Sequence, residues 1–268
     1  MKRPVFFLTD FGTRDPFVGI MKAIVADISQ GSPLIDLTNN IPPQDVVSGA
    51  LALEDSFNWL PLDSVVCAVV DPGVGTDRRA VVVQIGRRYL VGPDNGLFAP
   101  ILDRAKDWKI VEIQEEFREI NHERSFTFHG RDVFAPAAGY VARGSDFELL
   151  GERREEYHPL DFPRPHAEGD GSLLLSVAAI DHFGNITLNL TRRAARDICP
   201  WLLEGDATIT LGEASISGLS RTFGDVPEGE PLFYWNSAGR LEIAVNHGNA
   251  AEEFKARRGM PIRLAKPA

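Results

Sequence analysis

The sequence predicts an α/β N-terminal domain with a mostly parallel or mixed β-sheet, followed by a smaller, mainly β C-terminal domain. Apolar runs typical of strands alternate with helical patterns over residues 1–150, and this alternation builds layered α/β domains. Beyond residue 172, short apolar runs follow one another with few helical patterns, which indicates a β-rich domain. The segment between these regions is dense in proline, glycine and charge, as linkers are.

The N-terminal strands are predicted from runs rich in β-branched or aromatic residues that end at proline, glycine, aspartate or asparagine. These runs cover residues 4–9, 33–38, 64–70, 80–85, 88–92 and 109–113.

Three N-terminal helices are predicted between and after these strands. The first begins with Asp15 as its N-cap and Pro16 at its first helical position. Its apolar residues share one helical face and are Phe17, Ile20, Met21, Ile24 and Ile28. The second helix covers residues 44–60, and the third follows His129 through residues 134–144.

The domain boundary is predicted where helical and strand periodicity stop, in the segment YHPLDFPRPHAEGDG at residues 157–171. Proline and glycine at this density interrupt both helices and strands. We expect residues 1–160 to form the N-terminal domain, residues 161–171 the linker, and residues 172–268 the C-terminal domain.

The composition narrows the class of partner. The formal net charge is −10 at pH 7, and nucleic acids and anionic membranes bind clustered cationic side chains, so neither is expected. No apolar run approaches the roughly 18 residues of a membrane span, and the run before Thr9 is too short for a signal peptide. We therefore expect a cytoplasmic protein in which Cys67 and Cys199 are reduced and buried.

Polar side chains stand beside glycine or proline at the ends of five predicted strands. These turns are Thr9–Gly12, Asp71–Gly75, Gly92–Gly96, Phe128–Asp132 and Asp181–Asn185. Ligands of open α/β sheets bind outside the carboxyl ends of the strands, although each turn taken alone also fits an ordinary turn former. The expected members of a shared polar site are Asp10, Asp71, Asp94 and His129.

Asp71 is the candidate catalytic carboxylate because it ends an uninterrupted apolar strand, where burial makes an unpaired charge costly. Arg78 and Arg79 follow a glycine-rich turn that can fold the chain back towards Asp71. A capping aspartate with two solvent-facing arginines explains the same spacing. His129 lies between Phe128 and Gly130, surroundings that suit either a flat organic ligand or a structural histidine.

Two other kinds of site remain open from the residues alone. A two-metal hydrolase accepts aspartate, asparagine and histidine ligands, and the candidates are Asp10, Asp71, Asn95 and His129. The six histidines, however, form no HxH, HxxxH or HxD pair. Backbone N–H groups of glycine-rich turns can hold phosphate, but the sequence has neither a P-loop lysine nor the GxGxxG spacing of dinucleotide sites.

Six motifs in a fixed order carry a family resemblance over nearly the whole chain. They are TDFG, DPGVGT followed by two arginines, GPDNG, FHGRDVFAPAA, DHFGN and NSAGRLEIAVNHGNAAE. In this order they closely resemble the S-adenosyl-L-methionine hydroxide adenosyltransferases, which share a superfamily with fluorinase and chlorinase enzymes. The resemblance implies an N-terminal α/β domain, a C-terminal β domain, and a homotrimer with active sites between the N-terminal domain of one subunit and the C-terminal domain of its neighbour.

The resemblance also implies that Asp71, Arg78 and His129 place a water for attack on the ribose C5′ carbon. Motif spacing favours Arg78 over Arg79. The halogenases carry different residues at the positions of Asp71 and His129, and a carboxylate would repel a halide, so hydrolysis is favoured. Because a sulfonium leaves as a neutral thioether, catalysis requires positioning of the water and acceptance of its proton rather than a general acid.

The substrate contacts are implied by the same motifs. The implied substrate-binding residues are Asp10, Gly130, Asp181, Phe183, Asn185, Phe223, Ser237, Asn246 and His247. Asp10 would accept both ribose hydroxyls, while Asp181 and Ser237 would hold the methionine end. Gly130 replaces a halogenase serine, and Ala238 replaces an arginine, so those side-chain contacts should be absent.

Adenine recognition is implied for residues of the predicted C-terminal domain. Phe183 and Phe223 would pack on the base, although ordinary core packing explains a phenylalanine equally well. Asn185 offers both a donor and an acceptor to its edge, and Asn246 and His247 would contact it through their backbone. Asp94 and Asn95 are interpreted as a supporting turn.

The leading hypothesis is hydrolysis of S-adenosyl-L-methionine to adenosine and L-methionine, with a small molecule as partner and without a cofactor or metal. A non-catalytic protein that binds an adenosyl ligand and a metal-dependent phosphoesterase are the alternatives.

Overall fold

The computed structural model describes residues 2–114, 125–204 and 207–266. The chain forms two compact units, Met1–Asp161 and Phe162–Ala268. Each unit contains a β-sheet and a hydrophobic core of its own, as expected of a domain that folds on its own.

The N-terminal unit is built on a seven-stranded sheet of order β2-β1-β3-β5-β4-β6-β7. Its strands are β1 (Val5–Thr9), β2 (Leu34–Thr38), β3 (Val65–Val69), β4 (Ala80–Ile85), β5 (Arg88–Pro93), β6 (Lys109–Ile113) and β7 (Gly151–Arg154). The pairs β1–β2, β1–β3 and β3–β5 are parallel, whereas β4–β5, β4–β6 and β6–β7 are antiparallel. The predicted α/β domain is confirmed, and its sheet is mixed.

Helices cover both faces of this sheet because alternate residues of the central strands point to opposite sides. Val65 and Cys67 of β3 belong to the core shared with helices α1 (Phe17–Ile28) and α4 (Ala135–Ala142). Val66 and Ala68 belong to the opposite core, shared with α2 (Val46–Phe57) and α3 (Ala99–Leu102). Strands buried on both faces are uninterrupted apolar runs, which is the pattern that predicted them.

The first helix begins one residue later than predicted. Pro16 occupies its N-cap position and no side chain caps it, so the prediction of Asp15 as the N-cap was wrong. The buried residues of α1 are Val18, Met21 and Val25, while Phe17 lies exposed beside them. The helix therefore presents a phenylalanine to solvent at its first turn.

The second helix is shorter than the predicted range of 44–60. Gln44 has φ 66°, a left-handed conformation that a helix cannot include. Asp45 instead caps α2, because its Oδ1 accepts a hydrogen bond from Ser48 N at 2.9 Å. The predicted third helix is present as a π-helical turn, Gly130–Phe134, that continues into α4.

The C-terminal unit is mainly β, as predicted, with a nine-stranded sheet. Its strands are β8 (His166–Ala167), β9 (Leu173–Ile180), β10 (Ile186–Thr191), β11 (Thr208–Leu211), β12 (Ala214–Ser217), β13 (Leu219–Ser220), β14 (Pro231–Trp235), β15 (Arg240–Val245) and β16 (Pro261–Ala265). They follow the order β12-β11-β16-β9-β10-β15-β14-β13, with β8 paired to β9. Two short helices, α5 (Arg192–Ile198) and α6 (Ala250–Glu253), accompany the sheet.

Strand β8 falls within residues 161–171, the segment predicted as a linker, and its two residues pair antiparallel with Leu173 and Leu174 of β9. None of the helices formed by residues 2–114, 125–204 and 207–266 is both long and apolar enough to cross a membrane.

Candidate active site

Asp71 and Arg78 form a bidentate ion pair just beyond the C-terminal end of β3. Arg78 Nε donates to Asp71 Oδ1 at 2.8 Å and to Oδ2 at 3.0 Å, and Arg78 Nη2 also donates to Oδ2. The side chains are only 5% and 9% exposed, respectively. Burying a single charge here would be costly, and the matching geometry of guanidinium and carboxylate offsets that cost.

A glycine-rich turn returns the chain from Asp71 to Arg78. Gly75 has φ 80°, which suits a glycine, and Thr76 N donates to Gly73 O at 3.1 Å. The turn thus brings two residues seven positions apart into direct contact.

Arg79 points elsewhere and binds Asp94. Its Nε donates to Asp94 Oδ2 at 2.9 Å, and His158 N donates to Asp94 Oδ1 at 2.8 Å. Arg79 O accepts from Asp94 N at 3.0 Å and so extends the β4–β5 ladder, in which consecutive side chains alternate in direction. The structure brings Arg78, not Arg79, to Asp71, and Asp94 lies outside the Asp71 cluster.

His129 extends the ion pair into a chain of three side chains. Its Nδ1 lies 2.8 Å from Arg78 Nη2, and the residue is 6% exposed. A guanidinium only donates hydrogen bonds, so Nδ1 is the acceptor in this contact. The neutral imidazole with this contact carries its hydrogen on Nε2.

Asp71 and His129 line a cavity of about 280 Å³ together with three phenylalanines. The rings of Phe11, Phe17 and Phe128 meet edge to face, with centroids 5.2–6.0 Å apart. A polar cluster therefore borders an aromatic wall, a combination typical of sites for small organic ligands.

Gly130 also lines this cavity and is closely packed. A Cβ atom at Gly130 would lie 3.0 Å from Phe128 Cε2 and 3.1 Å from both Met21 Sδ and Phe11 Cε2. Glycine at this position lets the aromatic rings close around the backbone.

Asp10 lies at the same edge of the sheet as Asp71. Thr9 and Val69 are paired in the parallel ladder of β1 and β3, so the residues that follow them emerge together. Gln44 N donates to Asp10 Oδ2 at 2.7 Å. Burial raises the pKa of Asp10, its backbone hydrogen bonds oppose this, and the charge of Asp71 raises the pKa further. The two carboxylates are thus in electrostatic contact.

The C-terminal unit presents the turn Asp181–Asn185. Asp181 Oδ1 accepts from Phe183 N and Asn185 N, both at 2.8 Å, and Oδ2 accepts from Asn185 Nδ2 at 2.9 Å. Gly184 is required here, because a Cβ would lie 2.0 Å from Asn249 Oδ1. Asp181 therefore shapes the turn that exposes 74% of Phe183, and its remaining lone pairs are available for a further donor.

The other predicted contacts of this unit lie on separate loops. Phe223 packs against Tyr234 with ring centroids 5.2 Å apart and ring planes tilted by 57°, and Ser237 is exposed in the turn between β14 and β15. Asn246 N donates to Glu230 O at 3.0 Å, so the backbone N–H of Asn246 already has a partner within the unit. His247 has φ 58°, and its side chain is exposed.

Gln44 was not among the predicted site residues, although its backbone N–H donates to Asp10. The residue needs a positive φ, and nothing in the segment PPQD distinguishes it from an ordinary helix start. The residues that the structure describes contain no group of three or more histidine, cysteine, aspartate or glutamate side chains arranged to hold a metal ion.

Comparison with known proteins places both units in one family. Residues 5–151 match the family model of the SAM hydroxide adenosyltransferase N-terminal domain, and residues 175–263 match that of the C-terminal domain. The chain is 41% identical to the (R)-S-adenosyl-L-methionine hydrolase of Thermus thermophilus, over 98% of this chain and 99% of that protein.

Two further matches extend over equally long stretches. The (R)-S-adenosyl-L-methionine hydrolase of Salinispora tropica is 36% identical over 97% of both chains. A solved structure of an uncharacterized conserved protein from Thermotoga maritima superimposes with a TM-score of 0.88 at 32% identity, over 98% of this chain and all of that one.

Proposed function

We propose a residue-level mechanism from the premise that this chain belongs to the SAM hydroxide adenosyltransferase family. The chain is an enzyme that hydrolyses S-adenosyl-L-methionine to adenosine and L-methionine. The observation that carries the mechanism is the continuous contact from Asp71 through Arg78 to His129 beside the aromatic cavity. Neither alternative, a non-catalytic binding protein or a phosphoesterase, gains support from the relatives.

Asp71 accepts a hydrogen bond from the attacking water and then takes its proton. As the water oxygen bonds to the ribose C5′ carbon, the C5′–sulfur bond breaks and its electron pair stays on sulfur as a neutral thioether. The released proton passes from Asp71 to solvent. Positioning a weak nucleophile in line lowers such a barrier by several kcal/mol, and a positioned base adds about 10²–10⁴-fold.

Arg78 and His129 prepare this carboxylate and the water. The bidentate contact fixes the plane of the Asp71 carboxylate. Since His129 Nδ1 faces Arg78, its Nε2–H serves as the donor that orients the water oxygen. No general acid is needed, because methionine leaves as an uncharged group.

Asp10 binds the ribose hydroxyls, with Gln44 N holding one of its oxygens in place. Gly130 leaves room for the nucleoside next to the phenylalanine wall. In the C-terminal unit, adenine is contacted by Phe183, Phe223, Asn185 and the backbone of His247. Asn246 contacts it through its backbone carbonyl oxygen, because its N–H already donates to Glu230 O. Asp181 and Ser237 hold the methionine end.

The preferred substrate is the R form of S-adenosyl-L-methionine, the form named in the relatives from Thermus thermophilus and Salinispora tropica. The L descriptor already specifies the amino-acid carbon, so R refers to the sulfonium sulfur. Reaction of separated epimers tests this preference, since equal rates for both forms would contradict it.

The active enzyme is a homotrimer whose sites combine the N-terminal unit of one subunit with the C-terminal unit of the next. The division of the substrate-binding residues between two units supports this arrangement. Co-expression of Asp71→Asn and Asn185→Ala chains tests it, because sites built from two subunits include some with neither substitution. Activity in the mixed oligomer supports shared sites, and an inactive mixture contradicts them.

The reaction uses no cofactor or metal, and the enzyme works in the cytoplasm, where free buried thiols such as Cys67 and Cys199 stay reduced. Undiminished turnover after dialysis against a chelator is expected, and loss restored by one metal ion would contradict this part of the proposal.

Isotope labelling tests the reaction itself. Purified enzyme is incubated with S-adenosyl-L-methionine in ¹⁸O water, and the products are analysed by chromatography and mass spectrometry. Attack at C5′ places ¹⁸O in the 5′-hydroxyl of adenosine and none in methionine. Absence of adenosine above the uncatalysed background, or label outside adenosine, would overturn the proposal.

A further inference from the structure

Glu242 is a buried carboxylate held by three uncharged donors from three parts of the C-terminal unit. Its Oε2 accepts from Thr187 Oγ1 at 2.8 Å and from Asn236 Nδ2 at 2.7 Å, and its Oε1 accepts from the Tyr234 hydroxyl. The residue is 5% exposed. Within the described ranges, no lysine, arginine or histidine nitrogen lies within salt-bridge distance of it.

This arrangement is costly for stability alone. A buried carboxylate ordinarily has a cationic partner, and an apolar side chain of similar volume often stabilises a core as well as a buried charge does. Thr187 and Tyr234 are the cross-strand partners of Glu242 in β10 and β14, so the carboxylate links three adjacent strands on one face of the sheet.

The first consequence concerns the turn that carries Ser237. Glu242 accepts from the amide nitrogen of Asn236, which directs the other end of that side chain, Oδ1, towards the turn. Asn236 Oδ1 accepts from Ala238 N and Arg240 N, both at 3.0 Å. Ser237 therefore lies in a turn that the side chain of Asn236 holds together, and Glu242 orients that side chain.

The second consequence concerns Phe223. Tyr234 donates to Glu242 through its hydroxyl, and its ring packs at an angle against that of Phe223. Burial first, and then the hydrogen bond and charge of Glu242, raise the pKa of Tyr234, and the charge of Asp181 raises it further. The hydroxyl thus stays a donor, its ring has a fixed place beneath Phe223, and the turn at Asp181 lies within electrostatic reach.

We propose that Glu242 is a positioning residue for substrate binding, which holds Ser237 and Phe223 in place without touching the substrate. The inference rests on the proposed function, because it takes Ser237 and Phe223 to be substrate contacts. It predicts that Glu242 affects how tightly the substrate binds and leaves the chemical step to Asp71, Arg78 and His129.

The test is the effect of Glu242→Gln on KM and kcat for S-adenosyl-L-methionine in the full-length enzyme. A glutamine offers one acceptor oxygen where the carboxylate offers two and places an NH₂ group at the other position, so Asn236 and Tyr234 cannot both donate to it as they do to Glu242. We expect KM to rise about tenfold, which corresponds to ~1.4 kcal/mol, and kcat to change less than about twofold. The matched control is Glu54→Gln, a buried glutamate of the N-terminal unit that binds Arg104.

Glu54→Gln should lower the melting temperature without changing KM. If Glu242→Gln behaves in the same way, with a lower melting temperature and an unchanged KM, Glu242 is a structural residue and the inference is wrong. Should Glu242→Gln not fold, Tyr234→Phe keeps the ring on Phe223 and removes only the hydroxyl. Its KM should rise, to a smaller extent, and an unchanged KM overturns the inference.

Two further variants separate this inference from the proposed function. Ser237→Ala should raise KM by itself, and an unchanged KM would contradict the substrate contact rather than the role of Glu242. If Ser237→Ala raises KM and Glu242→Gln does not, the positioning role is contradicted. Asn236→Ala combined with Glu242→Gln should raise KM by less than the product of the two single effects, because the route through the Ser237 turn is common to both, while only Glu242 also acts on Phe223 through Tyr234. Fully independent effects would contradict the route through Asn236.

Discussion

The two units each bury a carboxylate near predicted site residues, but its hydrogen-bond partners are charged in one unit and uncharged in the other. Asp71 in the N-terminal unit is paired with the guanidinium of Arg78 and linked to His129. Glu242 in the C-terminal unit is surrounded by a threonine, a tyrosine and an asparagine. A charged partner keeps a carboxylate ionised for proton transfer, whereas neutral donors from several strands fix the geometry of what they connect.

The contrast indicates that the proposed proton-transfer groups lie in one unit and the network that orders substrate-binding turns lies in the other. The groups to which we assign proton transfer and water orientation, Asp71 and His129, are in the N-terminal unit. The C-terminal unit supplies aromatic, amide and hydroxyl groups and the carboxylate of Asp181 on turns, and a buried network orders the turn of Ser237.

The largest expected effect is that of Asp71→Asn on turnover. An amide cannot take the proton of the attacking water, so kcat should fall by about 10²–10⁴-fold. Steady-state adenosine formation measures it. Asp94→Asn is the matched control, because Asp94 is also buried and paired with an arginine. A comparable loss of kcat in correctly folded Asp94→Asn would contradict a special role for Asp71.

Replacement of Arg78 by lysine should have the next largest effect. A lysine ammonium cannot hold both carboxylate oxygens and also reach His129, and loss of one such charge-assisted contact costs ~1.5–3 kcal/mol. We expect kcat/KM to fall by roughly 10–100-fold. Arg79→Lys should lower the melting temperature and leave the activity unchanged. Equal losses of activity in Arg78→Lys and Arg79→Lys would contradict the different roles of the two arginines.

Gly130→Ala tests the closeness of the aromatic wall. The added methyl group would press on Phe128, Met21 and Phe11, and overpacking of this kind costs about 1–3 kcal/mol. Both the melting temperature and the activity should fall, the activity by about tenfold. Gly19→Ala on helix α1 is the control, since nothing lies within 4 Å of its Cβ; it should raise the melting temperature, by the higher helix propensity of alanine, and leave activity unchanged.

Asp10→Asn should have the smallest of these effects, a change in stability. The folded pKa of Asp10 is raised above its ordinary value of 3.8 by burial and by Asp71. A raised folded pKa contributes stability below the unfolded pKa that is lost as pH rises through the folded pKa. At neutral pH the variant should therefore melt slightly higher than the wild type and bind substrate more weakly. A lower melting temperature at neutral pH would contradict the assigned cause of the shift.

Much of the fold and part of the candidate site could be predicted from the sequence, for physical reasons that differ between residues. Uninterrupted apolar runs predicted the doubly covered strands, and the glycine-rich turn after Asp71 predicted a returning arginine. Motif spacing favoured Arg78 over Arg79, and the register of β4 and β5 gives the physical reason, because it places Arg79 opposite Asp94.

Other features depend on conformation that composition does not encode. The internal hydrogen bonds of Asp181 and the positive φ of Gln44 follow from local geometry. Asp15 fits the composition of an N-cap, but the helix begins after Pro16 and leaves it outside. Glu242 did leave a signal, since it is a glutamate within the apolar strand LEIAV, yet its three partners lie on strands and turns that only the fold brings together.

The most direct test of the separation between chemistry and binding measures Asp71→Asn and Glu242→Gln side by side. The dissociation constant of S-adenosyl-L-methionine is determined by calorimetry, and the single-turnover rate by rapid quenching at saturating enzyme. We expect Asp71→Asn to keep the affinity and lose the rate, and Glu242→Gln to keep the rate and lose affinity. A loss of rate and affinity in the same proportion in both variants would contradict it.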